Sequence, residues 1–440
     1  MVGVVSGGIW AFCFRMLNAL SSMVLVVFIT RSMIQSDAGR YFSLLSFVSI
    51  AAVLACCGVN TAVVKLIAQA LAERHTAKVR AIIGMSFKTL LTGGLVVGAA
   101  LALPQTRALL HEQMNLQSAV SFPLIWLWIC TSALQSLLAE TFRGLNNIFL
   151  ASLFGGTVST LLALALLLAF DIFAGHRHLS LNDLISIMVL ANLAGAIFAT
   201  ISLPRIKCEA MQPAGQSWPE FWRISAPLWV TQVLLMILLQ ADIWILQSTG
   251  KVNEVALYGT AVRMTLFLTL PLAVLNAALM PVISAQYALG RYESLQTLLR
   301  DTASIAALPA MAALALFVVA GHEVLDVLFG HHYQAALPLL LALSCGQLVN
   351  ILCGSAGYTL MMTGRQHDMM WITVISGLAI IICGLVAVHH WGALGLACTS
   401  ALCLSAQSVA MLLRVRQSLG FWTHASWHGL VRPLSTLRSL

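Results

Sequence analysis

SDAGRYFSLL, residues 36–45, has an echo in NEVALYGTAV, residues 253–262. In each stretch an acidic residue precedes a tyrosine by four places, Asp37 before Tyr41 and Glu254 before Tyr258, and an apolar run follows. Both residues recur after the same interval, 37 to 254 and 41 to 258. The first stretch opens the second long apolar run of the chain and the other opens the eighth. Six runs separate them, and six crossings of a membrane preserve orientation. The expected repeat is therefore parallel, about an axis along the membrane normal. Two six-helix lobes of this kind suit alternating access, with a substrate held between them.

Composition supports a membrane setting. Of 440 residues 60% are apolar and 9% are charged, against roughly 25% charged in a soluble domain. Twelve apolar spans are expected, near 8–30, 41–64, 82–103, 119–140, 148–170, 183–203, 221–248, 255–288, 300–320, 337–362, 369–389 and 391–413. Each is long enough for ~30 Å of hydrocarbon. The fold class is thus an all-α polytopic membrane protein. The stretch PRIKCEAMQPAGQSWPE, residues 204–220, divides the chain: an N-terminal lobe over 1–205, a cytoplasmic linker over 206–220, a C-terminal lobe over 221–413 and a basic tail over 414–440.

Of the 23 Lys and Arg, three lie inside spans (Arg15, Lys88 and Arg263) and five face outward (Arg31, Arg40, Arg107, Arg177 and Lys251). The other fifteen face inward, so both termini are expected in the cytoplasm. The net charge of +8 then reports inner-leaflet lipid, and no basic, aromatic-interleaved surface for nucleic acid is visible. Nine of the ten cysteines fall within apolar runs as small hydrophobes, and Cys208 stands alone in the linker. No spacing suits a metal, and no loop carries a nucleotide-binding or catalytic motif. Eight histidines, among them His331 and His332, sit in outward loops and read as solvated.

The intramembrane charges are the candidate functional residues. Arg15 shares a stripe of small and polar residues with Gly8, Ala11, Asn18 and Ser22, which points it to a hydrated lumen rather than to snorkelling. Lys88, with only Gly84 and Thr92 on its face, reads better as snorkelling to the interface. Asp242 lies in LLMILLQADIWILQ, residues 234–247. At the span boundaries above, Asp242 and Arg263 fall at similar depth on adjacent antiparallel helices. Two readings stay open: a structural pair in which Arg263 neutralises Asp242, or an Asp242 that exchanges H+ or Na+. Glu140 and Arg143, three apart, suit an interfacial pair on one helix.

The ordered series ITRSMIQSDAGRYFSLL, GVNTAVVKLIAQ, LAETFRGLN, QADIWIL, VALYGTAVRM, PVISAQYALGRYESLQTLLR, LFGHHYQAALPLL and GYTLMMTGRQ resembles the polysaccharide-flippase branch of the superfamily that also holds MATE exporters and the lipid II flippase. The resemblance covers nearly the whole chain. It implies a non-enzymatic flippase in the bacterial inner membrane that carries undecaprenyl-diphosphate-linked oligosaccharide for surface polysaccharides such as lipopolysaccharide or exopolysaccharide. Arginines on the first and eighth helices hold the diphosphate in that superfamily, which implies that role for Arg15 and Arg263; Asn18, from the Arg15 stripe, and Lys88 complete the expected slot. An acid on the seventh helix serves coupling in some relatives, and Asp242 is its counterpart. No cofactor is implied beyond H+ or Na+. Expected partners are the lipid-linked oligosaccharide, membrane lipid, and a polysaccharide polymerase with its chain-length machinery. The alternative is a cation-coupled multidrug antiporter of the MATE type. A polysaccharide polymerase, the third option, would need a catalytic outer loop longer than any present.

Overall fold

The computed structural model describes residues 2–72, 75–114, 121–174, 179–203 and 218–426. The helices, in chain order, are α1 (Val2–Ser32), α2 (Gln35–Cys56), α3 (Val59–Ala72), α4 (Thr76–Ala102), α5 (Pro104–Met114), α6 (Phe122–Gly144), α7 (Ile148–Ser152) and α8 (Val158–Ala174). They continue with α9 (Leu181–Ile201), α10 (Trp218–Gln247), α11 (Val252–Ala288), α12 (Tyr292–Phe329), α13 (Leu337–Cys353), α14 (Ala356–Met362) and α15 (Gln366–Leu419). Among the described residues, nine helical segments are long and apolar enough to cross a membrane. The last of these, α15, is two spans joined at Gly392, where φ is 59° and ψ −147°. With α1 and α10 the count reaches the twelve expected. Most of the expected linker, and the end of the basic tail, lie outside the described residues.

The chain forms two compact units, Met1–Gln240 and Ala241–Leu440. The boundary between these units falls within α10, whose first half meets the break between α2 and α3. At that break Cys57 and Gly58 take left-handed φ values of 48° and 75°. A side chain on Gly58 would collide with the Ser225 carbonyl and with Trp229, so glycine is needed for both the turn and the close approach. Ser225 Oγ donates to the Cys57 carbonyl at 2.9 Å.

That contact illustrates a rule of the whole fold. In hydrocarbon a backbone group freed by a broken helix costs several kcal/mol unless a partner satisfies it. In the first unit the helix is broken again between α7 and α8, where Gly156 has φ 122°. Gln135 Nε2, from α6, donates to the Phe154 carbonyl there at 3.2 Å. In the second unit the break between α13 and α14 is answered by the segment after α15. Thr423 Oγ1 donates to the Cys353 carbonyl at 2.9 Å and the Ala425 amide to the Leu352 carbonyl at 2.8 Å. At the Gly392 break, Glu254 accepts from the Ala393 amide at 3.0 Å. The carboxylate thereby sits at the N-terminus of the last half of α15, where the helix dipole favours an anion.

The repeat seen in the sequence has structural counterparts. Asp37 and Glu254 both occupy the first turn of their helices, α2 and α11. One turn on, Tyr41 and Tyr258 are both buried. Tyr41 stacks on Trp128 of α6, with ring centroids 6.1 Å apart. Tyr258 instead directs its hydroxyl at a carboxylate.

Candidate functional site

Burial places that carboxylate in a polar cluster of the second unit. Tyr258 on α11 donates from its hydroxyl to Asp242 Oδ2 on α10 at 2.7 Å. The same hydroxyl lies 3.5 Å from Ser400 Oγ on α15. Tyr258 is fully buried, and Asp242 Oδ1 is buried with no hydrogen-bond partner among the described residues. One carboxylate oxygen is therefore held by a hydroxyl and the other is left to a partner of different origin. A proton or a small cation meets that need, since an unpaired buried charge is strongly unfavourable.

Arg263 does not supply the missing charge. Among the described residues it forms no ion pair or hydrogen bond with Asp242, whose bonded partner is Tyr258. The reason is where α11 begins. It starts at Val252, three residues earlier than the span boundary read from hydropathy. At 1.5 Å per residue Arg263 then lies ~16 Å inside its helix end, against ~8 Å for Asp242 and ~9 Å for Tyr258. Tyr258 shares the level of Asp242, and Arg263 is turned ~140° around α11 from Tyr258.

The other candidates belong to the first unit. Arg15 lies on α1, and its side chain is outside the described residues. Asn18, from the same stripe, accepts from Thr160 Oγ1 on α8 at 3.1 Å, and Ser22 turns back to the carbonyl of Ala19. Lys88 is exposed on α4 without an ion pair among the described residues. Leu91, at 66% exposure, and Leu95, at 57%, continue its face, a surface suited to apolar surroundings rather than to a charged slot. Glu140 and Arg143 do pair: Arg143 Nη1 lies 2.5 Å from Glu140 Oε1 and 2.6 Å from Oε2. Among the described residues no group of three His, Cys, Asp or Glu comes together to hold a metal ion.

Inspection of charges alone misses Tyr258, Ser400 and Gln135. The tyrosine was visible in the repeat, at equal distance from its helix start in both halves. A serine or glutamine in the middle of a span gives a weaker signal, because each is also common as a helix-packing residue.

The profile of a family described as polysaccharide biosynthesis protein matches residues 4–286. The chain belongs to this family. The MatE family profile matches residues 227–386 as well. No curated protein matches the sequence. Among solved structures, a multidrug resistance MATE family transporter of the MOP superfamily, in an inward-facing conformation, is similar with a TM-score of 0.73. It is 15% identical, over 94% of this chain and 98% of its own. The lipid II flippase MurJ has a TM-score of 0.66 at 13% identity, over 99% of this chain and 91% of its own. A MOP superfamily transporter from Pyrococcus furiosus has a TM-score of 0.63 at 15% identity, over 95% of each chain. At these identities the likeness is one of fold. The chain is thus a multi-pass membrane protein of the polysaccharide biosynthesis family with the fold of MOP-superfamily transporters.

Proposed function

We propose that the protein flips undecaprenyl-diphosphate-linked oligosaccharide repeat units across the bacterial inner membrane for surface polysaccharide biosynthesis. The observation that carries this reading is the polysaccharide biosynthesis family match, which spans residues 4–286. The fold shared with the lipid II flippase supports it. The physics is that of a divided substrate. A diphosphate and its sugars cannot enter hydrocarbon, whereas a polyprenyl tail can stay there. Arg15, Asn18 and Arg263 hold the diphosphate while the tail trails into lipid, and rocking of the lobes turns the head group over. Lys88 joins this set as the weakest member, given its exposed apolar face. Asp242 couples the cycle by taking up H+ or Na+ at its unpartnered oxygen. Both termini face the cytoplasm, and the polymerase and chain-length machinery receive the product.

The MatE match over 227–386 favours a second reading, a cation-coupled exporter of organic cations. The charge set disfavours it: Arg15 and Arg263 in the proposed slot, against the carboxylate of Asp242, would repel positively charged drugs. Purified protein in liposomes decides between the two. Movement of defined lipid-linked oligosaccharides, without ethidium uptake, is the expected result. Ethidium accumulation driven by an ion gradient, with no lipid movement, would overturn the flippase reading.

A further inference from the structure

In the first unit a second polar site stands apart from Asp242. It is a cavity of about 250 Å³ walled by α6, by the break between α7 and α8, and by α9. Its polar lining is Ser132, Gln135, Ser136, Glu140, Arg143 and Asn192. The volume far exceeds the ~30 Å³ share of one water and falls just short of the ~300–1,000 Å³ of drug-sized pockets. One six-membered ring with its substituents is the right scale.

The hydrogen-bonding capacity left open in this lining is specific. Gln135 is 5% exposed and uses its amide nitrogen on the Phe154 carbonyl, which leaves Oε1 without a partner among the described residues. Asn192 donates from Nδ2 to Ser132 Oγ at 3.1 Å, which leaves its own Oδ1 without a partner among the described residues. Asn60 donates to Ser136 Oγ at 2.9 Å. Both serine hydroxyls therefore accept a bond from an amide and keep a proton to give. The site offers two amide acceptors and two hydroxyl donors, with no net charge, because Glu140 neutralises Arg143. Sugar hydroxyls each donate and accept, so they suit such an array. A phosphate, which only accepts and carries charge, does not.

We propose that this cavity is a subsite for one uncharged pyranose ring of the transported saccharide, read through its hydroxyl groups. The inference rests on the flippase reading and adds a sugar-selective site to it, distinct from the cationic residues proposed for the diphosphate. Gly155 gives a means of testing it. Its φ of −72° suits any residue, and an added Cβ would meet only Ala139 Cβ, at 3.9 Å. Gly155→Leu should fill the cavity without straining the turn.

The experiment uses the full chain in liposomes with fluorescent polyprenyl diphosphates that are either bare or carry a hexose, an N-acetylhexosamine or a 6-deoxyhexose. The wild type should move at least one glycosylated lipid. Gly155→Leu should slow that movement at least tenfold, and Ser132→Ala several-fold, as expected for loss of one hydrogen bond. Any movement of the bare lipid should be unchanged in both. If the wild type moves none of the glycosylated lipids, the flippase reading fails and the subsite falls with it. Wild-type rates in both variants would show that the cavity holds only water, and would sink the subsite alone. Equal slowing of bare and glycosylated lipids would mark a structural role and overturn the proposal as well. Should Gly155→Leu fail to reach the membrane, Ser132→Ala and Asn192→Leu decide the matter by the same readouts.

Discussion

The contact between Tyr258 and Asp242 can be weighed by a double-mutant cycle. Tyr258→Phe removes the hydroxyl that donates at 2.7 Å and leaves both Asp242 oxygens without a partner among the described residues, since Oδ1 already has none there. A hydrogen bond to a charged acceptor is worth about 1.5–3 kcal/mol, and one to a neutral acceptor about 0.5–1.5 kcal/mol. Asp242→Asn keeps an acceptor for the tyrosine and removes the charge. With Asp242 ionised, the single Tyr258→Phe change is therefore expected to destabilise the second unit by about 1.5–3 kcal/mol, and by about 0.5–1.5 kcal/mol in the Asp242→Asn background. Unfolding of the purified protein in denaturant gives all four corners of the cycle. Energies that add to within about 0.5 kcal/mol would refute the contact. The pairing with Arg263 makes the opposite forecast for Asp242→Arg combined with Arg263→Asp. The two positions are separated by ~8 Å in depth and ~140° in phase, so this charge swap should restore neither abundance nor transport. Recovery of both would show that the two groups meet and would refute the geometry.

Other expectations concern transport and the helix breaks. Asp242→Asn should reach the membrane at the wild-type level yet lose the dependence of transport on an ion gradient, measured in liposomes; retained ion-driven transport would remove Asp242 from coupling. Arg15→Ala should abolish surface polysaccharide export in a complemented strain while Lys88→Met leaves most of it, and equal loss would place Lys88 in the slot. Gly58→Ala should lower membrane abundance sharply, because the new Cβ meets backbone at a φ of 75°. By contrast Gly290→Ala, where φ is 68° but nothing lies within 4 Å, should lose only the ~1–2 kcal/mol of left-handed strain. Similar abundance of these two variants would argue against the close approach of α10.

Hydropathy and its period were enough to read the twelve spans, because each span must bury an unbroken apolar surface in lipid. The repeat was legible for a related reason: Asp37 and Glu254 both open a helix, and Tyr41 and Tyr258 both turn inward one turn later. Depth was less legible. Hydropathy marks where side chains become apolar, whereas α11 begins three residues earlier, at Val252, within polar sequence. That shift of about 5 Å exchanged Arg263 for Tyr258 as the neighbour of Asp242. An error of one helical turn leaves an apolar span recognisable and yet changes which polar residue a carboxylate meets.

The helix breaks carry the same lesson further. Gly58, Gly156 and Gly392 could be noticed in the sequence, but nothing local to them names the groups that answer the broken backbone. Ser225, Gln135 and Glu254 do so from 167, 21 and 138 positions away, counted from those glycines. Each of these side chains has a first duty to the fold, and only the capacity left over is available for function. Glu254 contacts both Lys251 and the Ala393 amide, so it is committed to structure despite being an acid within the repeat. Gln135 spends its donor on Phe154 and keeps an acceptor; Asp242 uses one oxygen on Tyr258 and keeps the other. Asp242 and Gln135 thus share what Glu254 lacks, a polar atom left without a partner among the described residues once the backbone has been satisfied. The coupling and sugar-site proposals rest on that difference, which residue type alone, ranking the two acids together, would not reveal.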